Sequence, residues 1–396
     1  MKSNRIILSI FLCLFGYFYG QTVVRQIKPS DTDPLIQTFD LDSHYVYINP
    51  NVNAQNTLVV HLPGSYGEPK RATLFGSLAA DLGFHSIGLM YPNIPTVGSI
   101  CTNSNDVNCF EKTRGEIIQG IDYSTEIDIP FHESIFSRLI QLLTFLHATY
   151  PSENWNQFLT SSNNLNFEKI IFSGHSQGGG HAALIAKYYP LARALCFSAP
   201  KDWSNMSNSP AVWLDSSGWI TDPSRIYVFN HTLDVHNQQL QIWNAMGLNS
   251  VGSPMNVDLV NSPYQLTRQL TSSFVVPAGD EHASTIQDNK TPKINGIPVF
   301  LPVWTYMLLN LDQSSVSEQE QNDISVNPNP MSDLLKIEGI TENATVQLLD
   351  QSGKIVLSRS GFNETILLDV SKLENGVYFL DICTDVRRVR KKVAKY

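Results

Sequence analysis

The sequence predicts an α/β protein, in which a mostly parallel β-sheet is covered by helices on both faces and is followed by a small all-β sandwich. Two observations predict this fold. Short apolar runs alternate with helix-like segments across residues 21–311, and beyond a polar break only short β-type runs remain. With 396 residues, 42% of them hydrophobic and five cysteines, the chain is not disordered, collagen-like or a disulfide scaffold.

The first twenty residues are typical of a secretory signal. Lys2 and Arg5 precede an apolar run from Ile6 to Tyr19, which ends at Gly20. This run is too short to span a bilayer and has the charge order of a signal peptide, so we expect residues 1–20 to be removed on export. No other stretch of the sequence is long enough to predict a membrane span.

The apolar runs predict buried strands, and the segments between them predict helices. Strands are expected at residues 57–62, 85–91, 169–174, 193–199, 225–230 and 273–278. Between Pro130 and Pro151, a helix is expected to bury one face, which comprises Ile135, Leu139, Leu142, Leu143 and Leu146.

Four cysteines lie beyond the signal segment. Cys101 and Cys109 flank a run of Asn, Ser and Asp residues that favours a turn, so we expect a disulfide between them in an oxidising compartment. Two free thiols in a flexible segment are the alternative. Cys196 lies inside an apolar run and is expected to be a buried strand residue.

The charges are unevenly distributed. Residues 21–322 carry 15 basic and 26 acidic side chains, whereas residues 323–396 carry ten of each. Such an acidic body argues against nucleic acid and anionic membranes as partners.

The segment with the strongest chemical signal surrounds Ser176. A predicted buried strand ends at Gly174, the pattern Gly-His-Ser-Gln-Gly follows, and a helix rich in small residues begins at once. This arrangement is the nucleophile elbow, in which glycines two positions from the serine remove β-carbons that would collide in a strained turn. We therefore expect Ser176 to be a catalytic nucleophile; a glycine-rich helix cap without chemistry is the alternative.

An acid and a histidine follow the serine in the order that such a site requires. Asp234 and His282 each follow a predicted strand, and no other histidine follows Asp234 except His236, which is too close to it. Asp202 remains the alternative acid. Asp280 and Glu281 lie too near His282 in sequence and are expected to cap its loop.

Backbone N–H groups are expected to stabilise an oxyanion beside this serine. One is that of Gln177, and the second belongs to the loop after the first predicted strand, from either Gly64 or Ser65. The long connection between Tyr91 and Pro130 is interpreted as a cap or rim.

Charged and aromatic residues of this region have other expected roles. Arg114 and Glu116 are expected to pair within the rim rather than touch substrate. Candidates for lining an acyl or alcohol pocket are Tyr66, Trp203 and Trp219, with packing in the core or at the surface as the alternative for each. Zinc spacings and a phosphate-binding loop are missing from the sequence, so neither a metal nor a cofactor is predicted.

Residues 21–311 therefore resemble the α/β-hydrolase superfamily, with each motif in the expected order. This resemblance implies a secreted serine hydrolase that cleaves a small or polymeric carboxylic ester through Ser176, His282 and Asp234. A serine peptidase of the same fold and a surface binding protein without turnover are the alternatives.

The end of the chain carries a second resemblance. A linker is predicted at residues 312–323, and the segment 324–396 resembles the C-terminal sorting domain of the type IX secretion system of Bacteroidota. Its matching segments are NPNP at 327–330, LLKI at 334–337, LLDQSGKIV at 348–356, LDVSKLENGVYFL at 368–380 and the basic stretch 387–395. The resemblance implies contact with the secretion machinery, passage across the outer membrane and a secreted or cell-surface location.

Overall fold

The structure, a computed structural model, describes residues 22–234, 238–309, 324–340, 343–350, 355–361, 365–384 and 388–395. The predicted signal segment 1–20 and the predicted linker 312–323 lie outside the described residues.

The strands are numbered in chain order. They are β1 (Val23–Ile27), β2 (His44–Ile48), β3 (Leu58–Leu62), β4 (His85–Gly88), β5 (Ile170–His175), β6 (Arg193–Phe197), β7 (Trp203–Ser204), β8 (Ser209–Pro210), β9 (Ile226–His231), β10 (Met255–Asn256), β11 (Gln269–Ser272), β12 (Lys293–Ile294), β13 (Ile297–Pro298), β14 (Ser325–Asn327), β15 (Leu334–Glu338), β16 (Ala344–Leu349), β17 (Ile355–Gly361), β18 (Thr365–Asp369), β19 (Gly376–Thr384) and β20 (Arg388–Lys395).

The α-helices are numbered in the same way. They are α1 (Pro29–Thr32), α2 (Thr73–Asp81), α3 (Val97–Cys101), α4 (Cys109–Gln119), α5 (Ile135–Thr149), α6 (Gln177–Tyr188), α7 (Gln239–Ala245), α8 (Glu281–Ser284) and α9 (Leu301–Leu309). Short 3₁₀ turns occur at Pro69–Ala72, Phe131–Glu133, Pro151–Glu153, Trp155–Phe158, Phe167–Lys169, Val212–Leu214, Pro223–Arg225, Leu248–Val251 and Tyr264–Leu266.

A large mixed sheet organises the body of the protein. Its nine strands lie in the order β1-β2-β4-β3-β5-β6-β9-β11-β10. The seven strands from β4 to β10 run parallel to one another, while β2 is antiparallel to both of its neighbours. The carboxyl ends of the parallel strands therefore meet at one edge, where α/β proteins place their ligands.

Alternate residues of the central strands enter two separate cores. In β5, Ile170 and Phe172 pack with α5 and α6 on one face, and Ile171 packs with α2 and α9 on the other. Successive side chains of a strand point to opposite faces, so a strand buried on both sides needs apolar residues at consecutive positions, as Ile170, Ile171 and Phe172 provide here.

Helix α5 matches the predicted helix between the two prolines. Its five predicted apolar residues are all buried. Ser134 caps its first turn, because the hydroxyl oxygen accepts a hydrogen bond from the N–H of Ser137 at 3.3 Å.

The predicted strand at residues 273–278 is wrong. The strand in this region is β11, which ends at Ser272, and Val275 is 82% exposed. Strand β11 is less apolar than the run after it. Its buried polar side chains are tolerated because those of Gln269 and Thr271 donate hydrogen bonds to the carbonyl groups of Gly252 and Met255.

The C-terminal segment forms two antiparallel sheets around its own apolar core. One sheet has the order β14-β15-β18 and the other β17-β16-β19-β20. Residues from both sheets, such as Leu335, Ile337, Val346 and Leu380, share one buried cluster. Within the described part of the chain, every helix is too short or too polar to cross a membrane.

Candidate active site

Ser176 lies in a sharp turn between β5 and α6. Its backbone has φ 54° and ψ −116°, a conformation that strains any residue with a β-carbon. Two hydrogen bonds hold it there: the Ser176 N–H donates to the Phe197 carbonyl at 2.9 Å, and the Gly180 N–H donates to the Ser176 carbonyl at 3.0 Å. The serine consequently lies at the carboxyl edge of the sheet, at the start of a helix.

The glycines around Ser176 allow the backbone to approach itself closely. A β-carbon added to Gly174 would lie 2.2 Å from the carbonyl carbon of Gly178. One added to Gly178 would lie 2.1 Å from the carbonyl oxygen of Leu62, at the end of β3. Both positions therefore require glycine for steric reasons, as the sequence pattern predicts.

Asp234 and His282 are in direct contact. The imidazole Nδ1 of His282 lies 2.7 Å from Oδ2 of Asp234. The Asp234 side chain is fully buried, whereas that of His282 is 26% exposed. Since an ionised carboxylate only accepts hydrogen bonds, the contact places the proton on Nδ1 and leaves Nε2 as an acceptor.

The alternative acid, Asp202, has other partners. The guanidinium of Arg114 donates to both of its carboxylate oxygens, at 2.6 and 2.7 Å, and the indole N–H of Trp213 donates to Oδ2 at 2.8 Å. The pair formed by Arg114 and Asp202 is almost fully buried. Asp202 thus has a structural role, and the structure places Asp234 beside the histidine.

The predicted pairing of Arg114 with Glu116 is wrong. Arg114 also donates to the Gln177 carbonyl at 2.9 Å, so it ties α4 to the start of α6. Glu116 instead accepts three backbone N–H groups, from Tyr123, Ser124 and Ile129. Because they are two positions apart in a helix, the two side chains point to different sides of α4, and each contacts a different part of the chain.

His282 is also held through its backbone. Its carbonyl oxygen accepts hydrogen bonds from the Ser198 hydroxyl at 2.7 Å and from Nε2 of His175 at 2.9 Å. The rings of His175 and His282 lie 4.8 Å apart, centre to centre. Burial, together with the nearby His282, holds the pKa of His175 well below its usual range, so His175 is a neutral donor.

His175 and Ser198 were not predicted as site residues. His175 occupies the variable position of the elbow pattern, and Ser198 lies just beyond β6. Only the folded chain reveals their role, because both act on the backbone of a residue more than eighty positions away.

The loop after β3 lies against the serine. A β-carbon added to Gly64 would lie 3.2 Å from Cβ of Ser176. The Ser65 hydroxyl donates to Oε1 of Gln177 at 2.9 Å, and the Val97 N–H donates to the same oxygen at 3.0 Å. These contacts bring together Gly64, Ser65 and Gln177, the residues expected to stabilise an oxyanion.

The connection between Tyr91 and Pro130 is only partly a rim. Its first residues border the site, since the Gln177 side chain donates to the Pro95 carbonyl at 3.2 Å. Its later part, helix α4, packs into the core beside α5 and α6.

The predicted disulfide is present and joins Cys101, at the end of α3, to Cys109, at the start of α4. Cys196 is buried in β6.

The three aromatic residues weighed between a pocket and ordinary packing have different surroundings. Tyr66 is 64% exposed in the loop after β3, next to Ser65. Trp203 is half-buried in β7 and packs against the core. Trp219 lies over the Lys187 ammonium, about 15 Å along α6 from Gln177, and is therefore remote from the serine.

Metal-binding side chains do not cluster in the part of the chain that the structure describes: groups of three or more histidine, cysteine or carboxylate residues with suitable spacing do not occur there. The local chemistry is that of a serine, an imidazole and a carboxylate. Such a set suits proton transfer and attack by a hydroxyl group.

Comparisons with known proteins identify the end of the chain. The family described as secretion system C-terminal sorting domain matches residues 325–395. A solved structure of PorZ, an essential surface component of the type-IX secretion system of Porphyromonas gingivalis, aligns at 19% identity over 21% of this chain and 12% of its own, with a TM-score of 0.19. The chain matches no curated protein.

Residues 325–395 are thus a type IX sorting domain, and the protein is secreted or displayed at the cell surface through that system. The domain supports an interaction with the secretion machinery. Its strands β14 to β20 are the antiparallel sheets described above.

Proposed function

We propose that this exported protein is a serine hydrolase, and that it cleaves carboxylic esters through an acyl-enzyme on Ser176. The observation that carries the proposal is the 2.7 Å contact between His282 and the buried Asp234, on a sheet whose strained turn presents Ser176. A buried carboxylate that fixes the imidazole tautomer is what a general base for a serine hydroxyl requires.

The reaction would proceed in two halves. Nε2 of His282 accepts the Ser176 hydroxyl proton while Oγ attacks the ester carbonyl, and the resulting oxyanion is stabilised by backbone N–H groups of Gln177 and of Gly64 or Ser65. His282 then returns the proton to the leaving alcohol. In the second half, water attacks the acyl-enzyme with His282 again as base, which releases the acid and regenerates Ser176.

Hydrolysis of short-chain 4-nitrophenyl esters tests the proposal. We expect the purified protein to hydrolyse them and Ser176→Ala to lose at least about 10³-fold in kcat. Ser162→Ala, at an exposed serine, is the matched control and keeps the wild-type rate.

Other outcomes would replace the proposal. Cleavage of peptide amides but not esters would assign a serine peptidase. Unchanged hydrolysis in Ser176→Ala would mean that this site does not catalyse the reaction. A folded wild type that hydrolyses neither class would leave a binding protein as the better interpretation.

A further inference from the structure

Lys201 reaches the reacting side of His282. It lies in the loop after β6, and its Nζ is 3.5 Å from Nε2 of His282. This is the ring nitrogen that must accept the serine proton in the proposed reaction. Lys201 is therefore in contact with the site on the side where substrate would bind, opposite Asp234.

In the described part of the chain, the ammonium of Lys201 has no ion-pair partner within 4 Å. Among the residues that the structure describes, no carboxylate pairs with its ammonium group. The neighbouring Asp202 is engaged by Arg114 and Trp213. Charged groups that are largely withdrawn from water are normally paired with an opposite charge. A negatively charged ligand can supply that partner for this ammonium.

The surroundings of Lys201 favour a single negative charge. Burial lowers the pKa of Lys201 to about 8, and the charge of Asp234 partly opposes this effect. Among the described residues, His282 and the neutral His175 are further titratable groups beside it. Arg114, which contacts the Gln177 carbonyl, is already paired with Asp202. One unpaired positive charge matches a monoanion such as a carboxylate.

The position of the charge also affects the chemistry. When His282 takes the serine proton, the imidazolium and the Lys201 ammonium repel each other. An anion held against Lys201 removes this repulsion. A neutral ester offers no such compensation.

We propose that Lys201 binds a carboxylate of the substrate, so that the enzyme prefers esters that carry a carboxylate beside the scissile bond. This inference rests on the proposed function, because it assigns the substrate class of the same site. An ammonium–carboxylate hydrogen bond in a partly dry site gives a preference of about ten- to a hundredfold.

Two pairs of matched esters test this preference. In the first pair, 4-nitrophenyl hemisuccinate replaces the methyl group of 4-nitrophenyl butyrate with a carboxylate on the acyl side. In the second, 3-carboxy-4-nitrophenyl acetate adds a carboxylate to the alcohol side of 4-nitrophenyl acetate. We expect the wild type to favour the anionic member of at least one pair about tenfold or more in kcat/KM at pH 7.

The variant Lys201→Met should abolish that preference, by lowering kcat/KM for the anionic ester and raising it for the neutral one. Lys112→Met is the matched control, because it removes one positive charge from an exposed lysine that pairs with Asp106. The control should keep the wild-type ratio. A wild type that favours neither anionic ester, or an unchanged ratio in Lys201→Met, would overturn the inference.

Calorimetry separates this inference from the proposed function. We expect 4-nitrophenyl hemisuccinate to bind to Ser176→Ala and to bind at least about tenfold more weakly to Ser176→Ala/Lys201→Met. Equal binding to both variants, or no binding to either, would contradict the role of Lys201. Absence of all hydrolysis by the wild type would contradict the proposed function, while the binding comparison would still decide the role of Lys201.

Discussion

At the scale of single residues, the candidate site depends on which of two buried carboxylates contacts the imidazole and which contacts the guanidinium. Asp234 contacts His282, and Asp202 contacts Arg114. Both carboxylates are buried, so each interaction is needed to offset the loss of hydration. The two aspartates should therefore respond differently to the same substitution.

Replacing Asp234 with Asn should reduce kcat for ester hydrolysis by up to about 10⁴-fold with little change in KM, since the amide fails to hold the imidazole tautomer. Asp202→Asn should instead lower the thermal midpoint, because it leaves the buried Arg114 with a weaker partner. Kinetics and thermal melts of both variants provide the check. The reverse pattern would assign Asp202 as the catalytic acid.

The pH dependence of neutral-ester hydrolysis should report on Lys201. Because the pKa of Lys201 is lowered to about 8, the ammonium loses its proton as the pH rises through that value. The repulsion with protonated His282 then disappears, so kcat/KM for 4-nitrophenyl butyrate should increase between about pH 7 and 9. In Lys201→Met this increase should be absent, and its persistence would contradict the assignment.

Several residues of the candidate site can be proposed from the sequence, and others cannot. Ser176, Asp234 and His282 carry an order and a spacing relative to strands that a reader of the sequence can recognise. Lys201 and His175 carry no such signal, because their contacts with His282 arise only in the folded chain. The choice between Asp234 and Asp202 likewise depends on which groups each aspartate contacts in the folded chain.

At the scale of elements, helices α4 and α6 are joined by the Arg114 side chain, which packs against Gly180. A β-carbon on Gly180 would lie 2.3 Å from the guanidinium carbon of Arg114. That guanidinium is held by Asp202 and by the Gln177 carbonyl, so it cannot withdraw without losing these hydrogen bonds. The glycine therefore supports the start of α6, where Ser176 and Gln177 lie.

Gly180→Ala should accordingly reduce both activity and stability, with a loss of about 2 to 4 kcal/mol in the free energy of unfolding. Gly98→Ala is the control, because a β-carbon there meets nothing within 4 Å in helix α3. Denaturant unfolding with parallel ester assays measures both effects. Equal behaviour of the two variants would mean that Arg114 does not need this close approach.

The elements were predictable where apolar periodicity was strong. Strands β3, β5, β6 and β9 and helix α5 lie within one or two residues of their predicted positions at most ends. Strand β11 was missed because its buried residues are polar and satisfied by side-chain hydrogen bonds, while the apolar run after it is exposed. An apolar run therefore predicts a strand only where its side chains are buried in the sheet.

At the scale of the whole molecule, the body contains several histidines that are buried in neutral form. Burial lowers the pKa of His44 and of His61 to about 3 each. It also holds the pKa of His181 well below its usual range, with Arg114 adding to the effect, and neither ring nitrogen of His181 has a described partner. Such groups couple folding to pH.

The sign of this coupling follows from proton uptake. In the unfolded chain these histidines bind a proton near pH 6.5, whereas in the folded protein they do so only at far lower pH, so acid favours unfolding. Below about pH 6.5, each should lower the free energy of unfolding by up to about 1.4 kcal/mol per pH unit. This loss should continue as the pH falls towards the folded-state pKa values.

Denaturant unfolding between pH 7 and 5 measures that slope. His181→Leu should reduce that slope by up to about 1.4 kcal/mol per pH unit, which corresponds to one proton, since leucine does not titrate. An unchanged slope in this variant would mean that His181 is charged or exposed in the folded protein.

The division of the chain was also visible in its composition. The sorting domain has a specific order of short motifs, and its family match confirms that prediction. The acidic body belongs to the part of the chain that carries the candidate site. Substrate identity was not predictable, because it depends on which groups surround His282 in space.

The most direct test of the central claim is labelling of the full chain with a fluorophosphonate, followed by trypsin digestion and mass spectrometry. We expect one adduct on Ser176, within the tryptic fragment 170–187, which is missing in Ser176→Ala and forms far more slowly in His282→Gln. A folded wild type that takes up no label, or that carries it on a different serine, would contradict the claim.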